Sequence, residues 1–199
     1  MLDGVDLRLE PGTAVAVCGR NGAGKTTLLR IASGLIAPDA GTVHVAGLDP
    51  EQNATQFQRR IGLVSAGNSG LYARLKPEHH LEMWARLALV PRRLRAAAIE
   101  RTSEAFVIAP LCGKRVDRLS MGQRQRLRLA LGFLHEPLVV MLDEPTGSLD
   151  DEGIALLSSA MEALKARGGA VLVCQPARWE ELPAIDAALT LRAGRLEPA

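Results

Sequence analysis

The nine residues Gly19-Arg20-Asn21-Gly22-Ala23-Gly24-Lys25-Thr26-Thr27 determine how the remainder of the chain is interpreted. Two glycines with four residues between them, followed by Lys and Thr, form the pattern of a phosphate-binding loop. The apolar run Ala14–Cys18 before the loop predicts a buried parallel strand, and Leu28–Ala32 after it predicts a helix. A glycine-rich turn without a ligand is the alternative, and the strand and helix on either side count against it.

The residue types in this loop suit the binding of a nucleoside triphosphate. Glycines let backbone N–H groups approach a phosphate, and a helix start adds a partial positive charge. We expect Lys25 to reach the β- and γ-phosphates and the Thr26 hydroxyl to ligate Mg²⁺. The residues expected to contact the nucleotide are Gly19, Asn21, Gly22, Ala23, Gly24, Lys25, Thr26 and Thr27.

Composition excludes several classes of protein. The chain has 199 residues, enough for one large domain or a core with a subdomain, and its 24 basic and 22 acidic residues give a net charge of only +2. This balance does not indicate a nucleic-acid partner. The three cysteines have no metal-ligand spacing, which favours free thiols in a reducing compartment. With no charged leader and no apolar run near ~20 residues, we expect a soluble cytoplasmic chain.

The first two thirds of the chain alternate between strand and helix patterns. Period-two alternation predicts strands, and apolar spacing of three and four residues predicts helices. The expected elements are strands at Leu2–Leu9, Thr42–Ala46 and Ile61–Val64 and helices from Pro77 to Pro91 and from Arg92 to Ala109. We therefore expect a helical subdomain at about 70–130, inserted into a core formed by about 1–69 and 131–199.

A helix start is predicted at Leu119-Ser120-Met121-Gly122-Gln123. Ser120 and Gln123 have the spacing of a capping box, which satisfies two free backbone donors. The segment could be a cap and nothing more. Gly122, however, lowers helix stability in a first turn, and this indicates that something must approach the backbone there.

The apolar run Leu138–Leu142 predicts a buried strand that ends in two carboxylates, Asp143 and Glu144. The carboxyl ends of parallel strands border the crevice in which open α/β sheets bind ligands. We expect Asp143 to hold the Mg²⁺ shell and Glu144 to orient or deprotonate the attacking water. Surface turn residues are the alternative, which the buried run before them disfavours.

The last third of the chain predicts one more strand–helix unit and a closing hairpin. Asp150 or Asp151 should cap a helix that runs to about Arg167 and ends at the following glycines. Ala170–Cys174 predicts a buried strand, and residues 189–196 predict edge strands around Gly194. The whole pattern is α/β, with a mostly parallel sheet core, an N-terminal antiparallel β portion and a helical subdomain.

Several of these motifs together resemble the nucleotide-binding subunit of an ATP-binding cassette (ABC) transporter, a P-loop NTPase. They are Gly19–Thr27, Leu119–Gln123 with the following Arg124-Gln125-Arg126, Asp143-Glu144 and Ser148-Leu149-Asp150. The resemblance extends over nearly the whole chain. It implies that Mg-ATP is bound and hydrolysed to drive transport, and that the chain lies at the inner face of the cell membrane against integral membrane permease subunits.

The resemblance also implies that two such domains, a homodimer or a pair of paralogues, close head to tail over two ATP molecules. Ser120 and Gly122 would then act as donors to the γ-phosphate bound by the opposite subunit, and Gln123 and Asp150 would belong to the same site. The Ser65–Lys76 loop and the Pro77–Leu89 helix would form the groove for short helices of the permease. Gly70–Leu75 is similar to single-domain subunits of bacterial export systems.

Three features usual in this family are missing. No aromatic residue precedes Phe57, so either the gene start lies upstream or adenine is bound without a stacking platform. Ala66 stands where a Gln normally follows the Ile61–Val64 strand. No His follows His135, which leaves Gln175 as the nearby group able to contact a γ-phosphate. We therefore expect Mg-ATP binding with slow or partner-dependent hydrolysis.

Two other functions stay open at this point. One is a degenerate nucleotide-binding module that regulates without turnover, which the missing Gln and His favour. The other is a soluble ABC-type ATPase of translation or DNA repair. The chain has neither the second cassette nor the coiled-coil insert usual in those proteins.

Overall fold

The computed structural model describes residues 2–67, 70–176 and 182–199. Six strands form one sheet in the order β2-β3-β4-β1-β5-β6, and all neighbours are parallel except β5 and β6. The strands are β1 (Ala14–Cys18), β2 (Ile61–Val64), β3 (Val139–Asp143), β4 (Ala170–Gln175), β5 (Ala187–Arg192) and β6 (Arg195–Pro198). The mostly parallel α/β core expected from the sequence is confirmed.

The helices begin and end where the local sequence supplies a signal. Pro77 occupies the first turn of α3, and Gly168, with a φ of 77°, follows the end of α6. The helices are α1 (Lys25–Ala32), α2 (Ala54–Gln58), α3 (Pro77–Leu87), α4 (Arg92–Ala105), α5 (Met121–Phe133) and α6 (Asp151–Ala166), with 3₁₀ turns at Ala109–Leu111 and Val116–Arg118.

Hydrophobic clusters lie on both faces of the sheet. Val140 and Leu142 of β3 face the cluster that α3 to α6 cover, whereas Val139 and Met141 face the cluster that holds α1. This is the alternation expected of a strand buried on both faces. Phe106 and Phe133, with ring centroids 5.4 Å apart, extend the first cluster between α4 and α5.

One contact fixes the position of α5 on the sheet. A Cβ added at Gly62 of β2 would lie 2.0 Å from the carbonyl oxygen of Gly132, and a Cβ at Gly132 would lie 2.5 Å from Cγ2 of Val64. The two glycines therefore allow the helix and the strand to approach closely, which seats α5 beside the end of β2.

Two expected strands did not form. Leu2–Leu9 has no strand pairing, although its apolar residues pack partly buried against the second cluster. Thr42–Ala46 contributes a single bridge, from Val45 to Leu48. The predicted N-terminal antiparallel β portion is thus wrong, because alternation reports which side of a segment is buried and not whether its backbone has a partner. The antiparallel pairing is instead between β5 and β6.

Other boundaries also differ from expectation. The helix from Arg92 ends at Ala105, because Phe106 leaves helical geometry and Val107 takes a φ of 47°. The strand β5 is interior, since it pairs with β1 on one side and β6 on the other, so of the two predicted edge strands β6 alone lies at an edge. The short helix α2, which places Phe57 in the core, was not expected.

Candidate nucleotide site

The expected site residues meet at the carboxyl ends of three adjacent strands. Cys18, the last residue of β1, is level with Gln175 of β4, and Asp143 of β3 is level with Cys174. The Gly19–Thr27 loop leaves β1 at this edge. Sequence-distant groups are therefore brought together at the position where parallel sheets bind ligands.

The loop after β1 has the backbone of a phosphate cradle. Gly22 and Gly24 take φ values of 83° and 106°, which a residue with a Cβ adopts only with strain. The Ala23 N–H donates to the Arg20 carbonyl at 3.1 Å and closes the turn. A Cβ on Gly19 would lie 2.7 Å from the Leu191 carbonyl oxygen, so this glycine is needed for close packing against β5.

Lys25 is held inside the loop. Its side chain is only 5% exposed, and Nζ donates to the carbonyl oxygens of Gly19 at 2.7 Å and Arg20 at 3.2 Å. An ammonium group in such a cradle is a fixed positive charge beneath the loop. A bound phosphate would be attracted to it, as expected from the sequence.

Thr26 and Asp143 are joined directly, although 117 positions separate them. The Thr26 hydroxyl donates to Oδ2 of Asp143 at 2.8 Å, and Asp143 is only 2% exposed. A hydroxyl and a carboxylate are hard oxygen ligands, which is the donor type that Mg²⁺ prefers. The two groups proposed as metal ligands therefore fit that ion.

Glu144 differs from Asp143 in exposure and in backbone. Its side chain is exposed, its φ is 49°, and its N–H donates to the Cys174 carbonyl at 2.8 Å. A non-glycine residue in the left-handed region carries strain, and such residues cluster at functional sites. The turn directs one carboxylate inward and the next outward at the end of the same strand.

The turn before α5 has the capping box expected from the sequence. Oγ of Ser120 accepts from the Gln123 N–H at 3.2 Å, and Oε1 of Gln123 accepts from the Ser120 N–H at 3.0 Å. A Cβ on Gly122 would lie 2.8 Å from the Ser148 carbonyl oxygen. The glycine is thus required by a contact within the chain. In the described ranges, no hydrogen bond joins this turn to the Gly19–Thr27 loop.

Asp150 caps α6, and its Oδ1 accepts from the Gly153 N–H at 2.9 Å. Of the two capping residues that the sequence allowed, the structure selects this one. Its backbone follows the Ser148-Leu149 turn that borders Gly122.

Gln175 is less accessible than expected for a phosphate contact. It is 2% exposed, and its Oε1 accepts from the Thr146 hydroxyl at 3.0 Å. Its Nε2 is buried with no hydrogen-bond partner among the described residues. The preceding Cys174 is also enclosed, and burial, followed by the nearby Asp143 carboxylate, raises the pKa of its thiol to about 12. A role for Gln175 toward the γ-phosphate stays a prediction.

Two residues at the edge of the site were given no individual role from the sequence. Gln125 Nε2 donates to the Pro145 carbonyl at 2.8 Å, and Arg128 Nη2 donates to the Ser65 carbonyl. Both are buried polar residues on α5. Their spacing of three among buried leucines is the signal that could have identified them, because polar groups on a buried helix face need partners.

Among the described residues, the remaining titratable groups form no metal-binding cluster. Within the parts of the chain that the structure describes, no cluster of three or more His, Cys, Asp or Glu residues could hold a metal ion. Nor is any helix in those parts long and apolar enough to cross a membrane. His79 is exposed while His80 is buried, as their adjacency on a helix predicts.

Comparison with known proteins places these features in a family. A family model described as ABC transporter matches residues 2–147. The chain is 31% identical over 192 residues to the ABC transporter ATP-binding protein NatA of Bacillus subtilis, covering 96% of this chain and 78% of that protein. It is 38% identical to the daunorubicin resistance ATP-binding protein DrrA3 of Streptomyces coeruleorubidus, covering 98% of this chain and 61% of that one.

Solved structures share the fold over nearly the whole chain. An ATP-binding subunit of an ABC transporter superposes with a TM-score of 0.88 at 25% identity, covering 98% of this chain and 81% of the other. The dimeric structure of an ATP-binding cassette in a post-hydrolysis state, with ADP and Pi, superposes with a TM-score of 0.85 at 22% identity, covering 98% and 88%. The latter likeness supports the fold alone.

Proposed function

The chain belongs to the ABC transporter family, and we propose that it is a subunit that binds and hydrolyses Mg-ATP to drive transport together with separate membrane subunits. The observation that carries this proposal is that four residues lie together at one edge of the sheet: Lys25, Thr26, Asp143 and Glu144. Each has a distinct chemical task there, and the loop around Lys25 has the backbone that the task requires.

Binding of the triphosphate depends on the Gly19–Thr27 loop. Its backbone N–H groups and the Lys25 ammonium would hold the β- and γ-phosphates, while the start of α1 adds a partial positive charge. The Thr26 hydroxyl and the Asp143 carboxylate would hold Mg²⁺, whose charge neutralises the phosphate oxygens. In this structure the hydroxyl donates to the carboxylate, so both groups already face one point.

Glu144 is the group we assign to the attacking water. Its carboxylate is exposed and follows Asp143 directly, so it can accept a hydrogen bond from a water next to the γ-phosphate. The hydrogen bond from its N–H to the Cys174 carbonyl anchors its backbone to β4. Orientation or deprotonation of the water by this carboxylate would favour attack on phosphorus.

The site is completed, on this proposal, by a second copy of the chain or a paralogue. The Ser120, Gly122 and Gln123 turn makes no hydrogen bond to the chain's own phosphate loop in the described ranges, which leaves the start of α5 free to face another chain's γ-phosphate. Asp150 would lie at the same interface. Hydrolysis would remove the charge that holds the two chains together.

We also propose that hydrolysis is slow without a partner. Ala66 has no polar side chain with which to contact Mg²⁺ or water. Gln175 is enclosed and bonded to Thr146, so it would have to rotate to contact a γ-phosphate. These two positions favour a second candidate, a nucleotide-binding regulator with little turnover. Steady-state ATPase with and without a membrane partner separates the two functions.

A cleft of about 660 Å³ supports the proposal that the chain docks a membrane subunit. Leu89 and Leu94 at its rim are exposed apolar residues. Arg59, Arg60 and Arg101 also line the cleft and outnumber its one acidic residue, Glu136, which pairs with Arg101 at 3.4 Å. We propose that a short helix of an integral membrane permease subunit, with apolar and acidic side chains, docks there. This would hold the chain at the inner face of the cell membrane.

The cleft does not coincide with the docking groove expected from the sequence. The cleft lies at the C-terminal end of α3 and along α4, and the described residues of the Ser65–Lys76 loop do not line it. Residues 68 and 69 of that loop lie outside the described part. The drug-resistance relative favours export over import as the direction of transport.

The proposal is tested by calorimetric titration of the purified chain with Mg-ATP, together with release of inorganic phosphate. Saturable binding and slow phosphate release are expected, and Lys25→Ala should abolish both. Arg8→Ala, a change at an exposed ion pair, is the matched control and should bind normally. Absence of Mg-ATP binding in the unmodified chain would overturn the proposed function.

A further inference from the structure

Helix α5 carries two buried polar side chains that donate hydrogen bonds to the loops that follow β2 and β3. Gln125 Nε2 donates to the carbonyl of Pro145, directly after Glu144. Arg128 Nη2 donates to the carbonyl of Ser65, the residue after β2. The loops that follow β2 and β3 are therefore both attached to one helix, whose first turn holds the capping box.

The position of α5 on the sheet explains why the Arg128 side chain reaches the Ser65 carbonyl. Gly132 lies against Gly62 and Val64 with no space for a Cβ on either glycine. Arg128 lies about one turn before Gly132, so its side chain extends to the end of β2. Small movements of the helix are resisted by backbone contact, and the guanidinium is held at a defined place.

The surroundings of Arg128 do not stabilise a charge well. The residue is 9% exposed, and burial lowers the pKa of its guanidinium. Within the described ranges no carboxylate lies within 4.0 Å of it, and the Ser65 carbonyl is its hydrogen-bond partner. A buried charge with a single neutral acceptor costs stability, so a stabilising role does not account for it. Such departures from favourable packing are typical of functional positions.

The segment that Arg128 holds borders the site. Val64, the last residue of β2, is level with Leu142 of β3, so Ser65, the next residue of the chain, leaves β2 at the edge of the sheet where β3 ends in Asp143. Ala66 follows and has no polar side chain. This segment can therefore act on nucleotide or water through its backbone groups and the short Ser65 hydroxyl, and the position of both depends on what fixes the Ser65 carbonyl.

We propose that Arg128 is a positioning residue for ATP hydrolysis, fixing the Ser65–Ala66 backbone beside Asp143 relative to the helix that begins at Ser120. The inference rests on the proposed function. A shift of α5 on engagement of a second copy would be passed to Ser65 through Arg128 and to Pro145 through Gln125.

The test compares three variants in steady-state ATPase assays and thermal unfolding. Arg128→Met removes the donors and keeps the length of the side chain, Arg128→Lys keeps a charged donor, and Arg167→Met changes an exposed arginine paired with Glu136. In R128M we expect kcat to fall about tenfold, with KM for ATP changed less than about twofold and an unchanged or higher melting temperature. R128K should recover part of kcat, and R167M should match the unmodified chain.

Two results would overturn the inference. One is an unchanged kcat in R128M, and the other is a kcat that falls only in step with a lower melting temperature, which a merely structural role would produce. ATP binding without any turnover in the unmodified chain would refute the proposed hydrolytic function together with this inference. Normal turnover in R128M refutes this inference alone.

A double-mutant cycle with Ala66→Gln supplies an independent readout. A glutamine at 66 can help only if its backbone is held in place. We therefore expect A66Q to raise kcat in the unmodified background and not in R128M. Equal effects of A66Q in the two backgrounds would contradict a positioning role for Arg128.

Discussion

Replacement of Thr26 by Val tests the link between the phosphate loop and the end of β3. Val has nearly the volume of Thr and lacks the hydroxyl, so packing is preserved while the 2.8 Å hydrogen bond to Asp143 is removed. Asp143 is 2% exposed, and the Thr26 hydroxyl is the hydrogen-bond partner of its side chain among the described residues. The substitution thus leaves a carboxylate buried without a donor.

The size of the effect follows from this burial. Hydrogen bonds to charged groups contribute about 1.5–3 kcal/mol, and a buried group left unsatisfied costs a similar amount. We expect T26V to lower the free energy of unfolding by about 2 kcal/mol. For a domain of this size, that corresponds to a fall in melting temperature of about 4–8 °C.

The assay is thermal unfolding of the unmodified chain, T26V and T26S, each with and without Mg-ATP. Ligand at a hundredfold excess over Kd stabilises a protein by about 2.7 kcal/mol, so the unmodified chain should melt at a clearly higher temperature with Mg-ATP. T26S keeps the hydroxyl and should respond in the same way. The melting temperature of T26V should rise little more with Mg-ATP than with ATP alone.

Two outcomes would refute this reasoning. A melting temperature of T26V equal to that of the unmodified chain would show that the hydrogen bond to Asp143 does not satisfy a costly buried charge. An undiminished response of T26V to Mg²⁺ in the presence of ATP would show that the hydroxyl is not a metal ligand.

Three further predictions concern the scaffold and its titratable groups. Gly62→Ala places a Cβ 2.0 Å from the Gly132 carbonyl oxygen and should lower the free energy of unfolding, measured by urea denaturation, by about 1–3 kcal/mol or more. Gly147→Ala is the control, because the nearest atom to its Cβ lies at 4.0 Å, and it should change this free energy far less. Burial lowers the pKa of His80, so stability should be fully present above the unfolded value near 6.5 and fall with pH below it, and His80→Gln should flatten that fall. Cys174, whose thiol pKa is raised to about 12, should react with a thiol reagent at pH 8 only when the chain unfolds.

The sequence predicted the parts of the site that depend on short-range signals. The loop after β1, the capping box at Ser120 and the carboxylates after β3 each combine a local pattern with a neighbouring element, and the structure has all three in place. The phosphate-loop pattern assigns Thr26 to Mg²⁺, and the end of a buried strand assigns Asp143 to the same ion, and the structure joins the two side chains by a hydrogen bond.

The remaining features depend on contacts that no local pattern encodes. Leu2–Leu9 has the alternation of a strand but no ladder partner, and the short α2 is fixed by the burial of Phe57. The glycine at 122 had been attributed to a ligand, whereas the Ser148 carbonyl also requires it. Arg128 could not be assigned, because its partner lies 63 positions away.

The central claim is that ATP is held between two chains, and Glu144→Gln tests it most directly. The substitution keeps the shape of the side chain and removes the carboxylate assigned to the attacking water, so bound Mg-ATP should persist. Light scattering of purified E144Q with Mg-ATP should give twice the mass of one chain, and the mass of one chain without nucleotide. A protein that binds Mg-ATP yet keeps the mass of one chain would contradict the shared site.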